Sequence, residues 1–336
     1  MKHHSLPRAS LHLHFENLRR RATIYHITPE DYARAARRHQ RLAARLEVTF
    51  GWDGDNLDAA LRTAHIVVGV PENRARLRVR APQLKWIHST LAGLDRMLPL
   101  DWLPRGIALT NNRGVHGHKA EQYMRMAYTL LHTRMPEILR NQRAHVWDPV
   151  FSPTIAGRCA LIVGLGDLGA AAARAARQLG LTVIGVRRTA KACRHADRVH
   201  TFRALDRLLP QADFVVLAVP LTPGTRNLLS RERLNLLKPD CGVINIARAP
   251  VMDYAALADK LRSGGLAGAM VDVAEPEPLP PESTLWDVPN LIITPHISCD
   301  DFGNYAQLTL DLVFENLARL LQNKPLRNRV SRTRGY

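Results

Sequence analysis

Cysteine is scarce in this 336-residue chain, and its four copies, Cys159, Cys193, Cys241 and Cys299, stand far apart with no C-x-x-C pair. That spacing argues against a disulfide scaffold and against a zinc ribbon. Long apolar runs are missing as well: none approaches the ~20 residues that span a bilayer. The opening segment MKHHSLPRASLHLHFENLRRR is basic but interrupted by His, Pro, Glu and Asn, so it has no secretory h-region. A cytoplasmic protein without a membrane partner is expected. No short-period repeat or low-complexity tract is present. Acidic residues are few, 30 against 47 Lys+Arg, which leaves a formal net charge of +17. What is there is globular: 46% hydrophobic and 23% charged residues exclude wholesale disorder. The length suits two domains of roughly 150 residues each.

The basic excess invites a nucleic-acid reading, so its distribution matters. Residues 1–116, 117–299 and 300–336 carry +9, +6 and +2, which is a spread excess without a basic tail. The densest stretches are Arg19–Arg21, Arg34 to Arg45, and 74–80. In the second, Tyr32, Ala35, Ala36, Leu42, Ala43 and Leu46 recur at helical spacing, as in an amphipathic helix with a solvated basic face. No helix-turn-helix, zinc-finger or RNA-binding aromatic pattern accompanies it. Charge alone licenses non-specific attraction, so no specific nucleic-acid partner is expected.

Short aliphatic runs alternate with helical segments along the chain. Strands are expected at Thr23–Ile27, Ile66–Val70, Leu84–His88, Ala160–Val163, Thr182–Val186, Phe214–Val219, Gly242–Ile246, Ala269–Val273 and Leu291–Thr294. Several are near-continuous apolar runs, as parallel strands covered on both faces require. The alternation predicts α/β units with right-handed crossovers and doubly wound sheets. A long helical segment, about His118 to Arg143, and a last helix, about Tyr305 to Leu321, flank the second block. Between the long helix and the next strand, HVWDPVFSPTIAGR reads as a connecting loop.

The sharpest local signal is ALIVGLGDLGAAAARAARQLG. A strand runs into the Gly164-Leu165-Gly166-Asp167-Leu168-Gly169 turn and then into an alanine-rich helix. Gly164 permits the tight turn, Gly166 lets the backbone approach a pyrophosphate, and Gly169 lets helix and sheet pack closely. The helix N-terminus adds N–H groups and a positive dipole end. About twenty residues on, where an acidic residue commonly meets the ribose hydroxyls, the chain reads Arg187-Arg188-Thr189, with no Asp or Glu between 182 and 190. Two guanidiniums and a hydroxyl suit a ribose 2′-phosphate. NADP(H) is therefore the preferred cofactor, with NAD(H) possible.

Three more segments fall at strand ends, where α/β folds place ligands. They are NIARAP (245–250), VDVAEPEPLP (271–280) and TPH (294–296). Together they supply one Arg, several acidic residues and one His. An Arg can hold a carboxylate, and a His beside a carboxylate is a tunable acid/base. With LKWIHSTLAGLD (84–95), LTNNRGVHGHKAEQY (109–123), AVPLTPGTRNLL (218–229) and LIITPHIS (291–298), the sequence resembles the D-isomer-specific 2-hydroxyacid dehydrogenases from about residue 23 onward. The resemblance implies that Arg248 binds the substrate carboxylate and keto oxygen. It implies that His296 is the general acid in reduction and the base in the reverse direction. Glu277, at the E-P-L-P position, would pair with His296, since an adjacent negative charge favours imidazolium; Glu275 is the rival by spacing. By the same likeness Leu91, Ala92 and Gly93 would offer backbone N–H groups to the substrate. Ile246 and Asp272 would orient the nicotinamide carboxamide, and Val219, Pro220 and Thr225 would line the adenosine side.

The fold so implied is α/β, with two doubly wound parallel-sheet domains, a Rossmann-type cofactor domain being inserted into a flavodoxin-like substrate domain. The expected boundaries are a flexible extension over 1–22, substrate domain over 23–116 and 300–336, and dinucleotide-binding domain over 117–299. The four histidines of the extension, His3, His4, His12 and His14, read as part of a disordered tail, and no metal site is expected. The implied activity is an NAD(P)-dependent oxidoreductase interconverting a small 2-keto acid, such as glyoxylate or hydroxypyruvate, with its D-2-hydroxy acid. A homodimer involving the helix after Val115 is implied. The alternative is a non-enzymatic, dinucleotide-sensing regulatory protein on the same fold. Ala249-Pro250, Ala274 and Ser298-Cys299-Asp300-Asp301 depart from the commoner family pattern.

Overall fold

The computed structural model describes residues 10–72, 74, 77 and 81–335. Among these, parallel pairing builds two sheets. The first contains β1 (Leu11–Asn17), β2 (Leu46–Trp52), β3 (Ile66–Val68), β4 (Trp86–His88) and β5 (Ala108–Thr110), in the order β2-β1-β3-β4-β5. The second contains β6 (Cys159–Val163), β7 (Thr182–Val186), β8 (Arg198–His200), β9 (Phe214–Leu217), β10 (Gly242–Asn245), β11 (Gly268–Val271) and β12 (Leu291–Ile293), in the order β12-β11-β10-β9-β6-β7-β8. All pairs in both sheets are parallel. The first order is the flavodoxin-like one. The second reverses direction between β6 and β9, the switch point at which Rossmann folds take a dinucleotide. The chain divides into one unit of Met1–Val115 with Asp301–Tyr336 and another of His116–Asp300.

The opening of the first sheet differs from expectation. Thr23–Tyr25 is one turn of 3-10 helix and not a strand. The first strand lies earlier, at Leu11–Asn17, inside the segment read as a flexible tail, and every one of its residues is buried. It pairs with β2 on one side and β3 on the other. Leu11, Leu13 and Phe15 enter the core with Leu310, Val313, Phe314 and Leu317 of the helix Tyr305–Leu321. On the opposite face His12 Nε2 lies 2.7 Å from Thr49 Oγ1, His14 Nδ1 lies 2.9 Å from the same oxygen, and His14 Nε2 lies 3.1 Å from Glu16 Oε2. Alternating His, His and Glu looks like a solvated face in sequence; mutual hydrogen bonds let these groups be buried instead. His3, His4 and most of the basic stretch 74–80 lie outside the described residues.

Two helices also end earlier than expected. The basic amphipathic helix is Pro29–Arg38, started by a capping box between Thr28 and Asp31 and left at His39. A short turn, Gln40–Ala43, follows, and Leu46 already belongs to β2. The long helix of the second unit is two, Gly117–His132 and Met135–Arg143, broken at Arg134 with a φ of 53°. Pro136 explains the break, because its ring and missing N–H cannot continue a helix whose carbonyl four residues back is His132. Ala172, Ala173, Ala175 and Ala176 of the helix Asp167–Gln178 are buried with Tyr123, Met124, Ala127 and Tyr128. Small side chains there let two helices approach closely over β6. Among the described residues no helix is long and apolar enough to cross a membrane.

Candidate active site

The site of the second unit lies at the carboxyl ends of its strands. After β6, Gly164 has a φ of +100°, and a Cβ there would strike the Ala218 carbonyl and Val219. A Cβ on Gly169 would strike the Gly164 carbonyl, so the first turn of the helix sits directly on the strand-end loop. Gly166, which caps that helix, instead faces open space. The two closed glycines and one open one form a cradle bounded by Asp167, Leu168 and the first-turn amides, which fits a pyrophosphate. Arg187, half-buried, and exposed Arg188 and Thr189 follow β7 immediately. The Arg187 N–H donates to the His200 carbonyl at 3.0 Å, which anchors this loop to β8.

Beyond β9, Val219 is buried and Pro220 exposed. Thr225 Oγ1 donates to the Pro220 carbonyl at 2.6 Å and accepts from the Thr222 N–H at 2.8 Å. Its hydroxyl therefore braces the loop. Ile246 is buried in the apolar core beneath the Gly117–His132 helix.

Arg248 follows β10 and is half-buried. The turn that holds it is organised by Asn245, whose Oδ1 accepts from the Ala247 N–H at 3.0 Å and whose Nδ2 donates to the Arg248 carbonyl at 3.2 Å. The same amide donates to Tyr254 Oη at 3.3 Å, while the tyrosine hydroxyl donates to the Val273 carbonyl at 2.6 Å. Burial raises the Tyr254 phenol above its ordinary range, so it stays a neutral donor. This ties the Arg248 turn to the segment after β11.

His296 follows β12. Its Nδ1 lies 3.2 Å from Glu277 Oε1 and 3.1 Å from Oε2. The Ala274 N–H donates to Glu277 Oε1 at 3.1 Å, which steadies the carboxylate. Glu275 is exposed and does not take this place. The His296 backbone has a φ of 56°, a left-handed conformation that costs a non-glycine residue about 1–2 kcal/mol. Asp272 offsets that cost. Fully buried, it accepts from the Ile297 and Ser298 N–H groups, each at 2.9 Å, and from Thr294 Oγ1 at 2.6 Å. Tyr123 in turn donates to Thr294 Oγ1 at 2.7 Å. Asp272, expected at the nicotinamide, thus spends three hydrogen bonds on the loop that presents His296.

Leu91, Ala92 and Gly93 belong to the first unit, after β4. There the Asn112 N–H donates to the Leu91 carbonyl at 3.2 Å and Asn111 Nδ2 to the Ala92 carbonyl at 2.7 Å. Sequence reading missed the supporting residues Asn111, Asn112, Asn245, Tyr254, Tyr123 and Thr294. A polar Asn closing the apolar run GVIN was the available signal for Asn245.

Fold and site together define a dinucleotide-binding α/β protein with a histidine–carboxylate pair and an arginine at neighbouring strand ends. Residues 126–298 match the family described as D-isomer specific 2-hydroxyacid dehydrogenase, NAD binding domain. A glyoxylate reductase of Thermococcus onnurineus is 33% identical over 249 residues, covering 70% of this chain and 73% of that protein. A D-isomer specific 2-hydroxyacid dehydrogenase of Xanthobacter autotrophicus, solved with NADPH and MES, is 31% identical with a TM-score of 0.83, covering 98% of this chain and 100% of that one. An NADPH-dependent glyoxylate/hydroxypyruvate reductase of Sinorhizobium meliloti, solved with NADP and sulfate, is 28% identical with a TM-score of 0.79, covering 96% of this chain and 99% of that one. The chain belongs to the D-isomer specific 2-hydroxyacid dehydrogenase family. It is an oxidoreductase that uses a nicotinamide cofactor.

Proposed function

We propose that this protein is a cytoplasmic, homodimeric, NADPH-preferring reductase of small 2-keto acids, with glyoxylate and hydroxypyruvate as first candidates. The observation that carries the reading is the bifurcated contact of His296 Nδ1 with both Glu277 oxygens, at 3.1–3.2 Å. Glu277 accepts the Nδ1 proton and so fixes the imidazole with its other nitrogen, Nε2, as the atom that protonates the keto oxygen. In the reverse direction Nε2 takes the hydroxyl proton back. Arg248 holds the substrate carboxylate through its forked N–H groups and polarises the carbonyl. Gly164, Gly166 and Gly169 with the helix start hold the pyrophosphate; Arg187, Arg188 and Thr189 hold a 2′-phosphate; Val219, Pro220 and Thr225 flank the adenosine. Bound, the nicotinamide supplies the hydride that reaches the carbonyl carbon. The names of the Thermococcus and Sinorhizobium relatives support the substrate class, and the NADPH and NADP complexes support the cofactor preference.

Purified protein with NADPH or NADH and a panel of 2-keto acids, followed by absorbance loss, tests this. Turnover is expected to fall about 10²–10⁴-fold in His296→Ala. No turnover with any keto acid, or equal turnover by the variant, would sink the mechanism. Arg187→Asp is expected to erase the NADPH preference, and an unchanged preference would remove the 2′-phosphate assignment.

A further inference from the structure

We propose that His116, Cys299 and Asp300 form a binding site for a single zinc ion within the second unit. The three residues are remote in sequence, His116 and Cys299 being 183 positions apart. One ligand atom from each nevertheless lies within 4.8 Å of the other two. His116 is buried immediately before the helix Gly117–His132, and the Asp300 side chain is 13% exposed. His116 Nδ1 lies 3.2 Å from the Cys299 carbonyl oxygen and 3.7 Å from Asp300 Oδ1; donating to that carbonyl through Nδ1 leaves Nε2 as the nitrogen with a lone pair for the metal. That contact fixes the imidazole beside both partners.

An imidazole, a thiolate and a carboxylate are the donor types zinc prefers, with a water as fourth ligand. Tetrahedral zinc with ordinary bond lengths sets neighbouring ligands about 3.3–3.6 Å apart. Closing from the observed spacing asks for about an ångström of side-chain movement. The electrostatics favour a cation as well. The Cys299 sulfur is flanked by the Asp300 and Asp272 carboxylates; burial, then those two charges, raise its thiol pKa, against a side-chain hydrogen bond with Ser298 and, more weakly, Arg248. A dication reverses that balance and takes the thiolate directly, as metal binding releases the ligand's proton. One thiolate and one carboxylate then neutralise the ion.

The position gives the ion something to hold. His116 and Asp300 are the first and last residues of this unit, so the site ties its incoming and outgoing segments together. Cys299 also lies three residues from His296, on the loop that Asp272 secures.

The test uses full-length protein freed of metal by a chelator, titrated with zinc against a chromogenic indicator and, separately, with cobalt followed by absorption. One equivalent of zinc is expected, and cobalt should give a near-ultraviolet thiolate-to-metal charge-transfer band. Cys299→Ser should abolish the band and weaken zinc binding by at least about tenfold, and Asp300→Asn should weaken it too. Replacing His3 and His4 by Ala should leave the stoichiometry unchanged. Absence of the band in the unmodified protein, or its survival in Cys299→Ser, overturns the proposal. The first of these outcomes does not depend on any variant folding.

Discussion

Asp272 shows how far one buried carboxylate can organise a site. Its two oxygens take three hydrogen bonds from Thr294, Ile297 and Ser298, and so hold the left-handed turn at His296. Asn at this position keeps one acceptor but turns an NH2 group toward a backbone N–H. Asp272→Asn is expected to lower stability by about 2–3 kcal/mol, the cost of an unmatched buried donor with a lost charge-assisted bond. Urea unfolding measures that, and a midpoint equal to the parent's would refute it. Turnover should fall with it, because His296 loses its fixed presentation. The strand-end segments pointed to Arg248, His296 and nearby carboxylates, and the family resemblance chose Glu277, the carboxylate that His296 contacts, over Glu275. Asp272 was expected from the resemblance beside the nicotinamide, and its bonding to the His296 loop was not foreseen. Its partners depend on how the β12 loop folds back onto β11, which spacing does not encode. Tyr123 reaches Thr294 from 171 positions away, and nothing local in the sequence pairs the two.

At the scale of elements, the second sheet could be read from its apolar runs, and the first largely could not. Strands β6, β7, β9, β10 and β11 are buried apolar runs and look so, while β12 is a half-buried edge strand that is still wholly apolar. Strand β1 hides its nature behind His12, His14 and Glu16, and β8 and β5 are three residues long. Strand β4 repeats the device of β1 in a cleaner form. His88 is fully buried, with Nδ1 2.8 Å from Thr110 Oγ1 and Nε2 3.2 Å from Asn112 Oδ1. Asn112 Oδ1 can only accept, so Nε2 carries the proton and Nδ1 accepts from the threonine hydroxyl. The neutral ring is thereby satisfied, and burial lowers its pKa to about 4. In the unfolded chain the ring titrates near its ordinary 6.5, so between those values the unfolded state binds more protons than the folded one. Stability is therefore undiminished above pH 6.5 and falls as the pH drops towards 4, by about 3 kcal/mol in all. His12 and His65, both lowered chiefly by burial, act in the same direction. Urea midpoints at pH 7 and pH 4.5 measure the slope, and His88→Gln should flatten it. A midpoint that does not move between the two would contradict this assignment.

For the whole molecule, the charge of +17 loses its first meaning: its informative members stand at strand ends, where they meet a cofactor phosphate and a substrate carboxylate in the proposed function. The more telling surface is apolar. In the loop after Met135–Arg143, Trp147 is 98% exposed, Phe151 89% and Val146 52%. Beside them a cavity of ≈ 540 Å³ is lined by Leu131, Phe151, Phe214 and Leu266, among others. Rings of this size each bury roughly 150–250 Å² when covered. Trp147 and Phe151 from two protomers would therefore remove about 600–1,000 Å², near half of the 1,200–2,000 Å² that a standard interface needs. The site residues of the second unit lie at the opposite, carboxyl ends of the strands, so a second copy can cover this face without blocking them. Trp147→Ser with Phe151→Ser is expected to convert a dimer to a monomer at micromolar concentration in sedimentation velocity. Cofactor binding should be retained, because neither ring touches the glycine cradle or the Arg187 loop. A monomeric parent protein would refute the homodimer, and a dimer that survives both substitutions would place the interface elsewhere.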